Sequence, residues 1–332
     1  MGNTNASATL FGWDFQINAA LVLMLENIEF AEQVRVEGQT EDVEIKLDNG
    51  QYIYSQAKSV VHSWDYSHVK RNLEKSLTTL SNASKKPDCD SLIYITNSPN
   101  PLGDKKTMSI FYGSSRRAYK DLPPSCKSTI NEILKKISEN SFDRDKFEVR
   151  VVPFETDDLV ERYKVIKGAV ERFIVSIRPG IAGISQNILD IWQKDLFENG
   201  TMSDSEKVIK KKDLVWPLIV LMTDILQSDN PITECMDEGD FEEITTKYKG
   251  FINSKSEHFA FATRVVSDYQ EFQNEGMRDK ILVFINSKWT DYKDEFAIEI
   301  DDTLQENLIK IILYQIVRQK HLISDMRKRV HI

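Results

Sequence analysis

A chain of 332 residues with 41% hydrophobic and 29% charged side chains is globular in composition and long enough for two domains. Its net charge of −9 excludes a nucleic-acid binder that works through its whole surface, so any such contact must be a local basic patch or be shared with a partner or further copies. Cys89, Cys126 and Cys235 lie far apart and the five histidines do not cluster, which argues against a zinc site or disulfide framework and for reduced thiols in a cytoplasm; no apolar run approaches a membrane span, so no membrane contact is expected.

Residues 12–28 carry apolar side chains at helical spacing, with Phe15, Ala19, Val22 and Leu23 on one side. Alternation then predicts strands over 32–37, 41–47 and 51–58, the last two joined by the turn signal Asp48-Asn49-Gly50. Helical spacing returns over 66–83 through Tyr66, Val69, Leu73, Leu77 and Leu80, and 92-LIYIT-96 reads as a strand covered on both faces. Strands over 107–112 and 147–153 and a helix over 124–140 complete an α/β block with a mixed central sheet flanked by helices. Beyond about 155 every readable segment is helical: 155–176, 184–197, 206–227, 238–247, 256–273, 276–296 and 303–324. Arg178-Pro179-Gly180, 198–205 and 228–234 read as breaks. The expected division is therefore an α/β domain over 1–160 and an all-α domain over 161–332. No glycine-rich phosphate loop and no G-x-S-x-G elbow is present, so nucleotide hydrolysis and serine hydrolysis have no anchor.

The hairpin 36-VEGQTEDVEIKLDNGQYIYSQAKS-59 concentrates the chemistry. Period-two alternation puts Asp42, Glu44 and Lys46 on one face of its first strand, and Gln56 and Lys58 on one face of its second. A half-solvated hairpin shows such alternation routinely. Against that reading, Val43 and Ile45 imply a strand held in a core, YIYSQAKSV reads as central, and a lysine on a central strand needs an anionic partner. The chemistry such a group suits is phosphodiester hydrolysis. A carboxylate with the side-chain oxygen of Gln56 and the backbone carbonyl of Ala57 can hold Mg²⁺, while Lys58 orients a water or steadies developing charge.

Gly12 and Gln16 on the first helix, then Glu37, then Glu41-Asp42-Val43, then Gln56-Ala57-Lys58 resemble the PD-(D/E)xK nuclease superfamily in its Q-x-K variant. More closely, residues 9–155 resemble the nuclease domain of the CD-NTase-associated endonucleases of bacterial antiphage systems, the domain also carried by Lamassu effectors. The resemblance implies a restriction-endonuclease-like α/β domain followed by an all-α domain, with Mg²⁺ as cofactor and Mn²⁺ as its substitute. It assigns Asp42 as metal-binding aspartate, Gln56 to the acid position and Lys58 as catalytic lysine, with Gln16 and Glu37 in support. Glu37 reads equally as a solvated strand-end acid. The superfamily's proline is replaced by Glu41. Glu44 shares the face of Asp42, so either acid could lead; Asp42 is preferred because it opens the strand.

Lys70 and Arg71 at the start of the second helix, and Arg116 and Arg117, are the expected DNA contacts, whereas Trp64 and Tyr66 also read as residues packed on the sheet. Lys210-Lys211-Lys212 and 327-RKRVH-331 read as helix-end charges. The helical half, with its apolar 214-LVWPLIVLM-222 and the run Trp289, Tyr292 and Phe296, carries no catalytic constellation and reads as a packing and docking module. In Lamassu effectors that region joins the nuclease to an SMC-like ATPase and a small accessory subunit, and the active nuclease is a homo-oligomer acting on double-stranded DNA. The expectation is thus a DNA endonuclease of a defence system, held inactive by that complex. The alternatives are a decayed, non-catalytic adaptor, against which the presence of both Asp42 and Lys58 speaks, and a ribonuclease on the same fold.

Overall fold

The computed structural model describes residues 4–38, 41–137, 141–177, 183–202, 208–222, 231–233, 239, 241–243, 246–247, 258–273, 279–296 and 302–332. The chain divides into two compact units, residues 1–175 with 181–211, and residues 176–180 with 212–332.

The first unit is built on a mixed sheet. Its strands are β1 (Ala31–Val36), β2 (Val43–Leu47), β3 (Tyr52–Lys58), β4 (Cys89–Thr96), β5 (Ser115–Ala118), β6 (Phe147–Val151) and the two-residue β7 (Ile209–Lys210), in the spatial order β5-β6-β4-β3-β2-β1-β7. β3, β4 and β6 run parallel; the other neighbours are antiparallel. The β2–β3 register is set by the turn after Leu47. There Gly50 takes φ +81°, a left-handed conformation that glycine adopts without strain, and donates to Leu47 O at 3.0 Å. That register places Val43 opposite Ser55 and Ile45 opposite Ile53. β3 is therefore a central strand.

One sheet face is covered by α1 (Thr4–Glu26), against which α5 (Ser185–Thr201) packs in turn. The Gly200–Trp13 contact is so close that a Cβ at position 200 would lie 2.6 Å from the indole, and Asn199 Oδ1 accepts from Val36 N at 3.1 Å. The other face is covered by α2 (Val69–Ala83) and α3 (Pro124–Lys136). Leu73, Leu77 and Leu80 of the first, with Ile130, Ile133 and Leu134 of the second, close over Tyr54, Leu92, Tyr94, Phe147 and Val149. Apolar residues at helical spacing meet apolar residues at strand spacing there, and their removal from water holds the layers together.

The expected strand over 107–112 is instead a 3₁₀ turn, Lys105–Phe111. Asp104 caps it, accepting from Lys106 N at 2.9 Å, while Thr107 Oγ1 donates to Asp104 O. The strand itself lies later, at Ser115–Ala118. Likewise β2 begins at Val43 rather than 41. The first unit also runs well past the expected boundary at 160/161: α4 (Leu159–Ile177) lies almost wholly within it, and α5 and β7 belong to it. β7 is also a strand in a region expected to be helical throughout.

α1 is long and apolar enough by length and composition to cross a membrane over Ser7–Glu26, with a mean hydropathy of 1.4. Of that window 67% is buried within the structure, so sheet packing accounts for its apolarity.

In the second unit the described elements are α6 (Lys211–Met222, its first residue counted with the first unit), α7 (His258–Glu271), α8 (Lys280–Lys288), α9 (Asp302–Arg318) and α10 (Lys320–Val330). Phe261 meets Tyr292 and Phe296 edge-on, and both are buried, as are Leu214, Val215, Leu218 and Ile219 of α6. Of the run at Trp289, Tyr292 and Phe296 the last two are thus buried and Trp289 is half-buried. The expected turn at 178–180 and most of the expected break at 228–234 and of the expected helix over 238–247 lie outside the described residues, while 231–233 form a turn.

Candidate active site

Glu37, Glu41 and Asp42, between β1 and β2, lie at the end of the sheet where β3 finishes. Two backbone bonds close this connection, Glu37 N to Asp42 O and Gly38 N to Glu41 O, both 2.9 Å. Glu37 takes φ +51°, unusual for a residue with a side chain and a form of strain found where the surroundings fix the backbone. The fixing group is Gln16 on α1, which is buried and whose Nε2 donates to Glu37 Oε1 at 2.9 Å and to Asp42 O at 3.0 Å.

At the end of β3, Asp42 Oδ2 accepts from Lys58 Nζ at 2.6 Å and from Ala57 N at 2.9 Å. Both partners are half-buried, so the pair is partly shielded from water and its geometry is fixed by two donors on one oxygen. Gln56 and Lys58 point to the α2 side of the sheet, because Gln56 lies opposite Tyr94 and two residues from Tyr54. Gln56 meets Glu41 rather than Asp42: its Nε2 donates to Glu41 Oε2 at 2.8 Å.

Glu41 is the residue that sequence reasoning missed. Alternation along a strand starting at 41 would send it away from Asp42; because the chain bends before Val43, both acids reach the same end of β3. Glu41 is 3% exposed, and its Oε1 is buried with no hydrogen-bond partner. Burial pushes its carboxyl from 4.5 up to about 8 against the pull of the Gln56 amide, and the Asp42 charge pushes the same way. The usable signal was the acid itself, in the place where the resembling family has an uncharged proline.

Glu44 is also buried on the α2 side, opposite Tyr54. It lies against Gly38 so closely that a Cβ there would be 2.3 Å from its Cδ. Lys46 instead turns to Glu32 at 2.7 Å. Gly12 needs no special smallness, since an added Cβ would meet Ser59 Oγ at an ordinary 3.7 Å.

The four expected DNA contacts do not form one patch. Lys70 and Arg71 are exposed in the first turn of α2, twelve and thirteen residues after Lys58. Arg117 is committed to the backbone, its Nε donating to Ile110 O at 3.1 Å. Arg116 stands opposite Arg150, which pairs with Ile95, and so faces the α1 side of the sheet, away from Lys58. There it pairs with Glu148 at 2.7 Å and lines a cavity of about 360 Å³ with Arg150, Asp48 and Asp90. Arg150 is 3% exposed and is held by Glu148 Oε1 at 2.5 Å and by Glu26. A buried ion pair explains Arg150, whereas Arg116 meets Glu148 from the surface with 63% of its side chain exposed. Of the expected helix-end lysines, Lys211 is largely buried, and its Nζ donates to Glu29 O at 2.9 Å.

Among the described residues no group of three or more His, Cys, Asp and Glu side chains is placed to hold a metal ion. Any cation here would rest on two carboxylates, amide or backbone oxygens, and water. No family model matches the chain, and no similar curated protein or solved structure is found.

Proposed function

We propose that this chain is a metal-dependent DNA endonuclease of restriction-endonuclease-like fold, with Asp42 and Lys58 at its centre. The observation that carries the reading is the convergence on one oxygen: Asp42 Oδ2 receives both Lys58 Nζ and Ala57 N at the open end of a central strand. A buried, partnerless Glu41 Oε1 beside it supports a hard cation, since an oxygen without a donor is costly unless a ligand or a proton serves it. Asp42 and Glu41, with the side-chain oxygen of Gln56 and the carbonyl of Ala57, would hold Mg²⁺ or Mn²⁺. The bound ion would polarise a phosphoryl oxygen and lower the pKa of a water. Lys58 would face the charge that develops on the phosphorane oxygens, and the Ala57 N–H keeps Asp42 in place as Lys58 turns from it to substrate. Gln16 acts through Glu37 and the Asp42 carbonyl, as a positioning residue.

The wider reading follows the resemblance to Lamassu effectors: a defence nuclease held quiet by an SMC-like ATPase with a small accessory subunit, and active as a homo-oligomer. The net charge of −9 and the dispersal of Arg116 and Arg117 support it, because one copy offers duplex DNA few cations. The test is plasmid cleavage with Mg²⁺ or Mn²⁺ by wild type, Asp42→Ala and Lys58→Ala, each checked for its thermal midpoint. Both variants are expected to fold and not cut. Wild-type cutting by folded Lys58→Ala refutes the assignment, and cutting of RNA but not DNA replaces it with a ribonuclease.

A further inference from the structure

The chain leaving Lys58 stays at the surface on a loop, 59–68, that is bonded throughout. Asn97 grips it from below, Oδ1 accepting from Val60 N at 2.7 Å and Nδ2 donating to Val60 O at 2.8 Å and Phe154 O at 2.9 Å. Val61 O accepts from Thr156 Oγ1, and Ser63 Oγ donates to Glu155 at 3.4 Å. Asp65 closes the tip, its N donating to His62 O and its Oδ1 accepting from Ser67 N, each at 2.9 Å.

On this loop Trp64 is 73% exposed, more than any other large hydrophobic side chain among the described residues. It does not pack on the sheet. Its ring lies flat on His62, with centroids 5.0 Å apart and planes 9° from parallel. An indole backed by a second ring on a bonded loop is already ordered, so a planar ligand can cover it at little entropic cost. Every nucleobase has such a face, and stacking on it does not depend on sequence. Six residues on, Lys70 and Arg71 are exposed and can meet the adjoining phosphates. A membrane fits less well: no second large hydrophobic residue is exposed on the loop, and His62, Asp65 and His68 surround the indole in sequence.

We propose that Trp64, backed by His62, is a stacking platform for an unpaired base of the strand presented to Lys58, so that the substrate has single-stranded character at or beside the cut. Its placement beside chemistry rests on the nuclease reading; stacking itself does not. The test is fluorescence anisotropy in EDTA with labelled oligo(dT) and a blunt duplex of equal length, using wild type, Trp64→Ala and Trp64→Phe. Trp64→Ala should weaken oligo(dT) binding about tenfold or more, the scale of one lost base stack, with duplex binding changed less than about twofold. Trp64→Phe should restore most of it. Equal oligo(dT) binding by Trp64→Ala overturns the proposal, as does Trp64-dependent binding to phosphatidylglycerol vesicles without oligo(dT) binding. Trp64-dependent binding in a protein that cuts nothing with Mg²⁺ or Mn²⁺, at the highest concentration and in its largest size-exclusion fraction, upholds the platform and overturns the nuclease reading.

Discussion

Glu41→Gln isolates the buried acid of the site. A carboxyl held at about 8 in the folded chain, against 4.5 in the unfolded one, binds its proton more tightly when folded. At about 1.4 kcal/mol per tenfold in proton affinity, the difference is roughly 3–5 kcal/mol. Below pH 4.5 both states are protonated and the group is neutral in effect. Between 4.5 and 8 the unfolded chain gives up its proton while the folded one keeps it, so stability falls as pH rises; above 8 both are ionised and the loss levels off. Urea unfolding of metal-free protein across this window should show that fall for wild type and a much shallower one for Glu41→Gln. Part of the slope should survive, because burial also raises the carboxyl of Asp14. Glutamine keeps the shape and can still meet the Gln56 amide, so it should stabilise the metal-free protein most near pH 8. Parallel wild-type and variant curves from pH 5 to 8 would show that Glu41 is not a buried proton holder and refute the reasoning.

Gly38→Ala should cost about 1–3 kcal/mol in urea unfolding, since its Cβ would collide with the buried Glu44 carboxyl, and a further Glu44→Ala should recover most of that loss. Arg150→Ala leaves Glu148 in the sheet with Arg116 as its remaining cation and should cost roughly 1.5–3 kcal/mol, whereas Arg150→Met paired with Glu148→Leu should cost far less; equal losses would remove the buried pair as the cause. Cleavage should rise more steeply than linearly with protein concentration, because several copies along one duplex multiply weak phosphate contacts. Full specific activity in a monomeric fraction from size exclusion would place regulation elsewhere.

Much of the placement of Asp42, Gln56 and Lys58 was legible in the sequence, because two rules settle it locally: side chains alternate along a strand, and Asp48-Asn49-Gly50 fixes which residues of two strands face each other. Helical spacing likewise located α2 and α3, whose apolar stripes need a sheet to cover, while α1 is apolar all round because it lies between the sheet and α5. What tertiary structure alone decided lies where the chain bends or where distant segments meet. The turn of Glu41 toward Gln56 depends on a connection pinned by Gln16, 26 residues from the Asp42 carbonyl it holds. The side of the sheet taken by Arg116 depends on its pairing with β6 across a 3₁₀ turn that alternation read as a strand. β7 and α5 join the first unit through contacts with β1 and α1 that no local pattern announces, since Asn199 completes the hydrogen bonding of Val36 from 163 residues away. Trp64 could as readily have packed inward; the bonds from Asn97, Thr156 and Glu155 hold its loop at the surface, and those partners lie 37 to 95 residues along the chain. Periodicity reports which face of an element is apolar, but not which distant backbone group will claim a loop's polar atoms, and that choice positions the acids and the indole.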